Sequence, residues 1–484
     1  MNWLLLFEIL YIIALILVCF RIIYDTQNNI KTLAYLLLVV FIPVIGAIIY
    51  FSFGINYRKR RMYDKKLVAD DVLAEKIRIQ TLQSSQKTYN ENKALLESNR
   101  ELAYMLVNGS MSTLTGDNDV KLLINGESKF PEVIAALEKA KHHIHIEYYI
   151  FEDDEIGKTV EEILIRKAKE GVEVRFIYDD FGSRSIRRTL SRRLRSNHVQ
   201  TFPFHKIIFV ALANRLNYRN HRKIIVIDGT IGFIGGINVS DRYINAKENK
   251  LFWRDTHLYI QGSGVRYLQY LFMCDWNFCA QDHLKPNDVF FPEYSSIMPK
   301  AGNKIVQIAA SGPDSEVPVI LFSILQAINL ATQEILITTP YFIPGESVID
   351  ALLVSAMGGV KVKILVPDKS DSIIVNAAAR SYYGDLARAG IEIYLYRKGF
   401  VHAKTLVADR KLSVVGTANM DYRSFDLNFE VNAIVYDKEI ANQMADVFYN
   451  DIKDAELVDI EKWDKRPLYK EMIEKTARLI SPLL

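Results

Sequence analysis

The chain has 484 residues, too many for one ordinary domain and suited to two or three. Half of the residues are hydrophobic although 24% are charged, so apolar residues are concentrated in particular stretches, and the net charge of +3 selects no class of partner. Cys19, Cys274 and Cys279 give neither a disulfide framework nor the CxxC spacing of a zinc site, and they are compatible with a reducing compartment.

Two apolar runs open the chain. Trp3–Tyr24 is broken mainly by Glu8 and Arg21, and Leu33–Phe53 carries no charge. Each is close to the roughly 20 residues that a helix needs to cross the hydrocarbon core. The short polar link from Asp25 to Lys31 makes them a transmembrane hairpin, expected over residues 1–56. A cleaved signal peptide fits less well, because a basic leading region is missing and a second apolar run follows at once. Pro43 and Gly46 are tolerable there, since neighbouring helices can satisfy the freed backbone groups. Arg58, Lys59, Arg60, Arg61, Lys65 and Lys66 follow the hairpin, whereas its link carries only Lys31. This asymmetry puts the long C-terminal part in the cytoplasm, with the basic cluster against anionic headgroups.

Residues 57–109 read as this basic juxtamembrane segment and a linker, with the polar stretch Asp70–Tyr104 a surface helix or connection. From there the texture is α/β: strands at His145–Tyr149, Val172–Tyr178 and Ile224–Ile227, and a helix over Ile156–Lys169. This part repeats itself. Ile144–Tyr149 echoes Ile335–Tyr341, and Gly171–Ile177 echoes Gly359–Leu365. Two similar α/β halves related by a pseudo-two-fold are expected over residues 110–290 and 291–484, joined near Pro286–Asn303, where Pro, Gly and Ser accumulate.

Each half ends in one motif. His221, Lys223, Asp228, Gly235 and Asn238 recur with identical spacing as His402, Lys404, Asp409, Gly416 and Asn419. From ordinary residue usage one such match arises by chance in roughly one sequence in 10,000, and two in matching places of a repeat are far rarer. His and Lys two apart on a strand share a face. A turn at Asp228-Gly229 or Asp409-Arg410 returns the chain as a second strand, whose glycine end admits close backbone approach and delivers Asn to the same patch. Two patches facing each other make a pocket of two imidazoles, two ammonium groups and two amides. That set suits a phosphodiester: Lys223, Lys404, Asn238 and Asn419 bind the phosphate oxygens, one His attacks phosphorus, and the other protonates the leaving alkoxide. Nothing in the pattern calls for a metal or a cofactor.

The duplicated motif resembles that of the phospholipase D superfamily over nearly all of residues 110–484. Phe252–His257, Asp275-Trp276, Thr339–Pro344, Met420–Phe425 with Asn428–Glu430, the hairpin ending Phe53-Gly54 and the tail Arg478–Leu484 resemble the bacterial cardiolipin synthase branch. The resemblance implies a transferase of the bacterial plasma membrane. It would pass a phosphatidyl group between two phosphatidylglycerols through a phosphohistidine, releasing glycerol, with His221 the nucleophile and His402 the acid/base. It implies a histidine-orienting carboxylate downstream of each Asn, matched by Asp255 in the first half and Glu430 in the second. It gives Asp228 and Asp409 a structural part within the catalytic motif, which a turn-capping aspartate before Gly229 fits.

Other features leave alternatives open. His142, His143 and His145 could be metal ligands or structural strand residues. Tyr149 and Tyr341 could line the pocket or pack. The run Arg184, Arg187, Arg188, Arg192, Arg193, Arg195 is either a solvated face or a contact for anionic lipid. The tail Pro467–Leu484, with apolar residues near helical spacing, could lie in the membrane interface or pack on the body. A phospholipase D-type hydrolase or a transferase to another alcohol would carry the same motif. A nucleic-acid phosphodiesterase would not explain the hairpin, and no nucleic-acid partner is expected; a non-catalytic scaffold would not need both motifs intact.

Overall fold

The computed structural model describes residues 3–25, 29–51, 71–204, 218–246, 251–280, 282–292 and 301–479. The basic cluster Arg58–Lys66, Phe53-Gly54, part of the expected link at Pro286–Asn303 and the last five residues of the tail lie outside them.

The first apolar run is one helix, Trp3–Asp25, long and apolar enough to cross a membrane. The second is divided into Asn29–Phe41 and Pro43–Ile49. The break has a local cause: Pro43 has no N–H to donate and disfavours the helical region for the residue before it, and Ile42 stands at φ −134°, ψ 69°. Ile22, Tyr35, Val39 and Tyr50 pack between these helices, while most of their other apolar side chains are exposed.

The α/β part is built on strands that join into one fifteen-stranded arrangement. Outward from the junction, the first half runs Thr115–Ile124, Thr256–Gln261, Ile231–Gly235, Ile224–Ile227, His143–Tyr148, Glu173–Asp179, Gln200–Phe204. The second half repeats that order with Lys304–Ser311, Glu430–Tyr436, Leu412–Gly416, Thr405–Ala408, Glu334–Thr338, Lys361–Pro367, Glu392–Tyr396, and adds Ala455–Leu457 at its edge. The halves meet where Thr115 pairs with Val306 and Asn118 with Lys304, antiparallel. This is the expected pair of α/β units about a pseudo-two-fold.

The strands are apolar on both faces because both faces are covered. Ile225 and Ile227 pack against the helices of the first half, including Glu155–Lys169. Ile224 and Val226 turn the other way, into a core that also contains Leu258 and Ile260 and, from the second half, Leu336, Val407, Val415 and Val431. Neither half closes this core alone. Truncating the fully buried Leu258 to Ala would cost about 2–5 kcal/mol.

Of the expected stretch Asp70–Tyr104, residues 71–104 are largely helical, as Asp71–Glu91, Lys93–Leu96 and the start of Arg100–Ser110. It is more than a surface connection: Leu96, Leu102, Ala103 and Leu106 enter the core of the second half with Val319, Ile320 and Ile324.

Candidate active site

His221 and His402 do not lie within strands. Each sits in the extended segment that feeds one, Ile224–Ile227 or Thr405–Ala408, and each is held there by parallel pairing with the opposite half. Gly399–Val401 pairs with Phe252–Arg254 in the register Val401 to Arg254, which brings the next residues, His402 and Asp255, side by side. An isolated bridge from Asn220 to Phe429 does the same for His221 and Glu430. The backbone N–H groups of His221 and His402 donate to the carbonyls of Phe429 and Arg254 at 2.9 and 2.7 Å.

The orienting carboxylates therefore cross between halves. His221 Nδ1 lies 2.9 Å from both oxygens of Glu430, and His402 Nδ1 lies 2.7 Å from Asp255 Oδ2. The downstream acid of each half serves the histidine of the other. Two glycines make room for this: a Cβ on Gly236 would collide with the Asp255 carboxylate, and one on Gly399 with the carbonyl of Phe252. Thr417 Oγ1 and Asn428 Nδ2 donate to Glu430 at 2.5 and 3.2 Å, and the N–H of Thr256 donates to Asp255 at 2.7 Å. Both acids are fully buried. Burial alone would raise their pKa values, but Lys404 and His402 outweigh it at Asp255, and His221 and Lys223 at Glu430, so both stay below the usual range.

Burial pushes both imidazoles down to about 4. At His221 the charge of Glu430 opposes that shift, whereas at His402 the charge of Lys404 adds to it before Asp255 opposes. Lys223 Nζ donates to the His221 carbonyl at 2.8 Å, and Lys404 Nζ lies 2.9 and 3.1 Å from the two ring nitrogens of His402. Lys223 is pushed down to about 7 by burial and by the charge of Lys404. Lys404 is pushed down to about 8 by burial, against the pull of Asp255, Glu430, Asp421 and Asp371. Each lysine thus feels groups of the other half, and the two motifs form one electrostatic unit.

The asparagines differ. Asn238 Nδ2 donates to Tyr243 Oη at 2.7 Å, and its Oδ1 accepts from the N–H of Ile150 at 3.2 Å. Asn419 is also buried; its side chain bonds Asp421, and its Oδ1 has no partner among the described residues. The motif aspartates serve the backbone. Asp228, at φ 51°, accepts from the N–H groups of Lys141, His142 and His143, and Asp409, at φ 52°, from those of Thr332, Gln333 and Glu334. Each pins the return turn to the start of the neighbouring strand.

The tyrosines that match in the repeat also diverge. Tyr149 lies edge-on to the His221 ring at 4.9 Å, whereas Tyr341 donates to Asp371 at 2.8 Å. Tyr243, Trp253 and Phe400 surround His402 at 5.6–5.9 Å. His143 and His145 bond Gln269 at 3.2 and 3.1 Å, and His145 stacks on Phe272 at 4.4 Å. Among the described residues no group of three or more His, Cys, Asp or Glu is placed to hold a metal. In the arginine run, Arg187 pairs with Asp180 and Arg193 with Asp153 and Glu161, while Arg184, Arg188 and Arg192 are exposed.

Two buried basic residues near the site escaped the sequence reading. Lys129 donates to the carbonyls of Ile237 and Asn238 at 2.8 and 3.4 Å, and burial holds its pKa well below the usual value. His257 is fully buried, and among the described residues neither ring nitrogen has a partner. Lys129 lies in an amphipathic helix, where a lone lysine reads as solvated; His257 sits in the quoted Phe252–His257 stretch, and no spacing sets it apart.

A domain family described as "Cardiolipin synthase, PLD-like domain" matches residues 133–262 and 324–452, one match per half, and a "Phospholipase_D-nuclease N-terminal" family matches residues 9–54. The chain is 42% identical to the major cardiolipin synthase of Bacillus subtilis, over 99% of this chain and 98% of that one. It is 40% identical to a cardiolipin synthase of Geobacillus, over 99% of this chain and 93% of that one. A crystal structure of a phosphatidylserine synthase from Haemophilus influenzae covers 79% of this chain and 100% of its own length, with a TM-score of 0.57 at 15% identity, which is a likeness of fold. The full-length kinship, one family match on each half and an N-terminal membrane helix establish that this chain is a membrane-associated member of the cardiolipin synthase family within the phospholipase D superfamily.

Proposed function

We propose that this protein is a cardiolipin synthase that moves a phosphatidyl group from one phosphatidylglycerol to another. The observation that carries the reading is the pair of buried imidazoles, each held at Nδ1 by a carboxylate of the opposite half, with a lysine beside each. A carboxylate at Nδ1 fixes the tautomer, so that Nε2 presents its lone pair. His221 Nε2 has no hydrogen-bond partner among the described residues, whereas His402 Nε2 lies 3.1 Å from Lys404 Nζ. This favours His221 as the nucleophile.

His221 Nε2 attacks phosphorus, and the bond from phosphorus to the headgroup oxygen breaks. Protonated His402 gives its proton to that oxygen, and glycerol leaves. The anionic diester favours imidazolium in the loaded site, offsetting the burial that disfavours it in the empty one. A glycerol hydroxyl of the second phosphatidylglycerol then attacks phosphorus, His402 takes its proton, and the phosphorus–nitrogen bond breaks. Cardiolipin forms and His221 is restored. Lys223, Lys404 and Asn419 stabilise the charge on the non-bridging oxygens. Asn238 adds its amide from the first half. The hairpin spans the bilayer twice, with the catalytic halves on the cytoplasmic side.

The test uses membranes containing the protein, labelled phosphatidylglycerol and a chelator. Cardiolipin and glycerol should appear together and vanish in both His221→Ala and His402→Ala. Phosphatidic acid alone would mean that water, not a second lipid, takes the phosphatidyl group. No turnover of phosphatidylglycerol would overturn the substrate assignment.

A further inference from the structure

The C-terminal helix Leu468–Leu479 packs against helix Ile373–Arg388. Arg388 meets Asp464 just before it, Arg380 meets Glu474, and Arg478 lies 4.3 Å over the Tyr382 ring. The contact face is not the apolar one. The buried positions of the C-terminal helix are Glu474 and Ala477. Successive helical residues are about 100° apart, which puts Leu468, Tyr469, Met472, Ile473 and Leu479 on one continuous arc beside that face. All five are exposed, Leu468 to 72% and Leu479 to 80%. An amphipathic helix on a soluble body normally buries its apolar arc; here the polar and small residues are buried and the apolar arc is turned outward.

At the start of the partner helix, Ile373 and Ile374 are 88% and 50% exposed. That start adjoins the catalytic pocket. Asp371, two residues earlier, accepts from Tyr341 Oη and contributes to the electrostatics of Lys404. Exposed apolar side chains thus stand at the start of one helix, beside the pocket, and on the helix packed against it, in a chain that already carries a membrane helix. Lys475 borders the apolar arc, as suits the headgroup level.

We propose that the outer face of the C-terminal helix, together with Ile373 and Ile374, is a second membrane contact, which lies in the lipid interface and holds the pocket mouth at headgroup level. The occupant of this face is a lipid surface. The inference rests on the membrane association of the chain and not on which diester is turned over.

The test is made on the full chain in proteoliposomes. Cys19, Cys274 and Cys279 are first replaced by Ala, and the resulting chain is checked for turnover. Single cysteines at Ile373, Met472 and Leu479 then receive an environment-sensitive fluorophore, and Lys158, exposed on a first-half helix, serves as the aqueous control. The first three labels should emit at shorter wavelength than the control and be quenched by brominated lipid, while the control responds only to aqueous iodide. In the double variant Ile373→Asp, Leu479→Asp, turnover of bilayer lipid should fall several-fold while turnover of a short-chain diester in detergent is unchanged. Labels at all three positions as open to iodide as the control would overturn the proposal, as would a double variant equally impaired on both substrates. The fluorescence readout needs no activity, so it stands whether or not phosphatidylglycerol proves to be the substrate.

Discussion

His221 meets both oxygens of Glu430 and the edge of Tyr149, whereas His402 meets one oxygen of Asp255, is walled by Tyr243, Trp253 and Phe400, and has Lys404 against its ring. The motif that supplies them is the same to the residue spacing. Apart from Lys404, these surroundings come from sequence outside the motif. Duplication provides two imidazoles of one motif, and their walls are unequal.

The largest effect should come from removing either ring. His221→Ala and His402→Ala should each lower transfer by on the order of 10⁴ or more, as for groups that act as a unit. They should differ in trapping. In a single turnover with labelled lipid, His402→Ala retains the capacity to label the protein, slowly, and His221→Ala does not. Label on His221→Ala would reverse the assignment.

Next come the carboxylates. Glu430→Gln and Asp255→Asn should each cost roughly 10²–10⁴ in kcat, since the tautomer is no longer fixed. Glu430→Gln should lower the pKa of His221 still further and leave His402 in place, as read by NMR of labelled histidine. A shift confined to His402 would mean that the acids serve their own halves.

The pH dependence sharpens the same picture. Lys223 and Lys404 titrate at about 7 and 8, so kcat/KM should fall about tenfold per unit between pH 7 and 8 and about a hundredfold per unit above pH 8 as the phosphate-binding charge is lost. Stability moves the other way. Both imidazoles are held near 4 in the fold, below their unfolded value of about 6.5. The unfolded chain therefore binds more protons between these values, and stability present above pH 6.5 is lost as pH falls toward 4. A Tm that is flat from pH 7 to 4.5 would contradict the buried, neutral state of both rings.

The smallest effects belong to the motif aspartates. Asp228→Ala and Asp409→Ala each remove a carboxylate that accepts three backbone N–H groups and put Ala at a positive φ. Each should cost about 1–3 kcal/mol of stability while the folded fraction keeps its KM, as checked by thermal unfolding beside kinetics. Loss of activity without loss of stability would put them in the chemistry instead.

Much of the fold was legible because the signals were local. The strand expected at Ile224–Ile227 is found there, and the helix expected at Ile156–Lys169 starts one residue earlier. The two-fold was legible because the repeat preserves spacing. The crossing of the acids was not, since His402 and Asp255 are 147 residues apart and His221 and Glu430 209. Only the pairing of Gly399–Val401 with Phe252–Arg254, and the bridge at Asn220, decide which acid reaches which ring. The break at Ile42 was hidden by composition: proline is tolerated in a membrane helix, and the pattern around it does not say whether the helix bends or stops.

The crossed acids carry a consequence for how such a chain could arise. A protein with a single motif, assembled as a two-fold pair, would need its partner's acid to orient its own histidine, so each copy would be inert alone. In such a pair any change in the gene alters both acids at once. Joining the copies in one chain lifts that restriction, and here one position holds Asp255 and its counterpart Glu430. In a fused chain, two sites that a symmetric pair would keep in lockstep are free to become different residues.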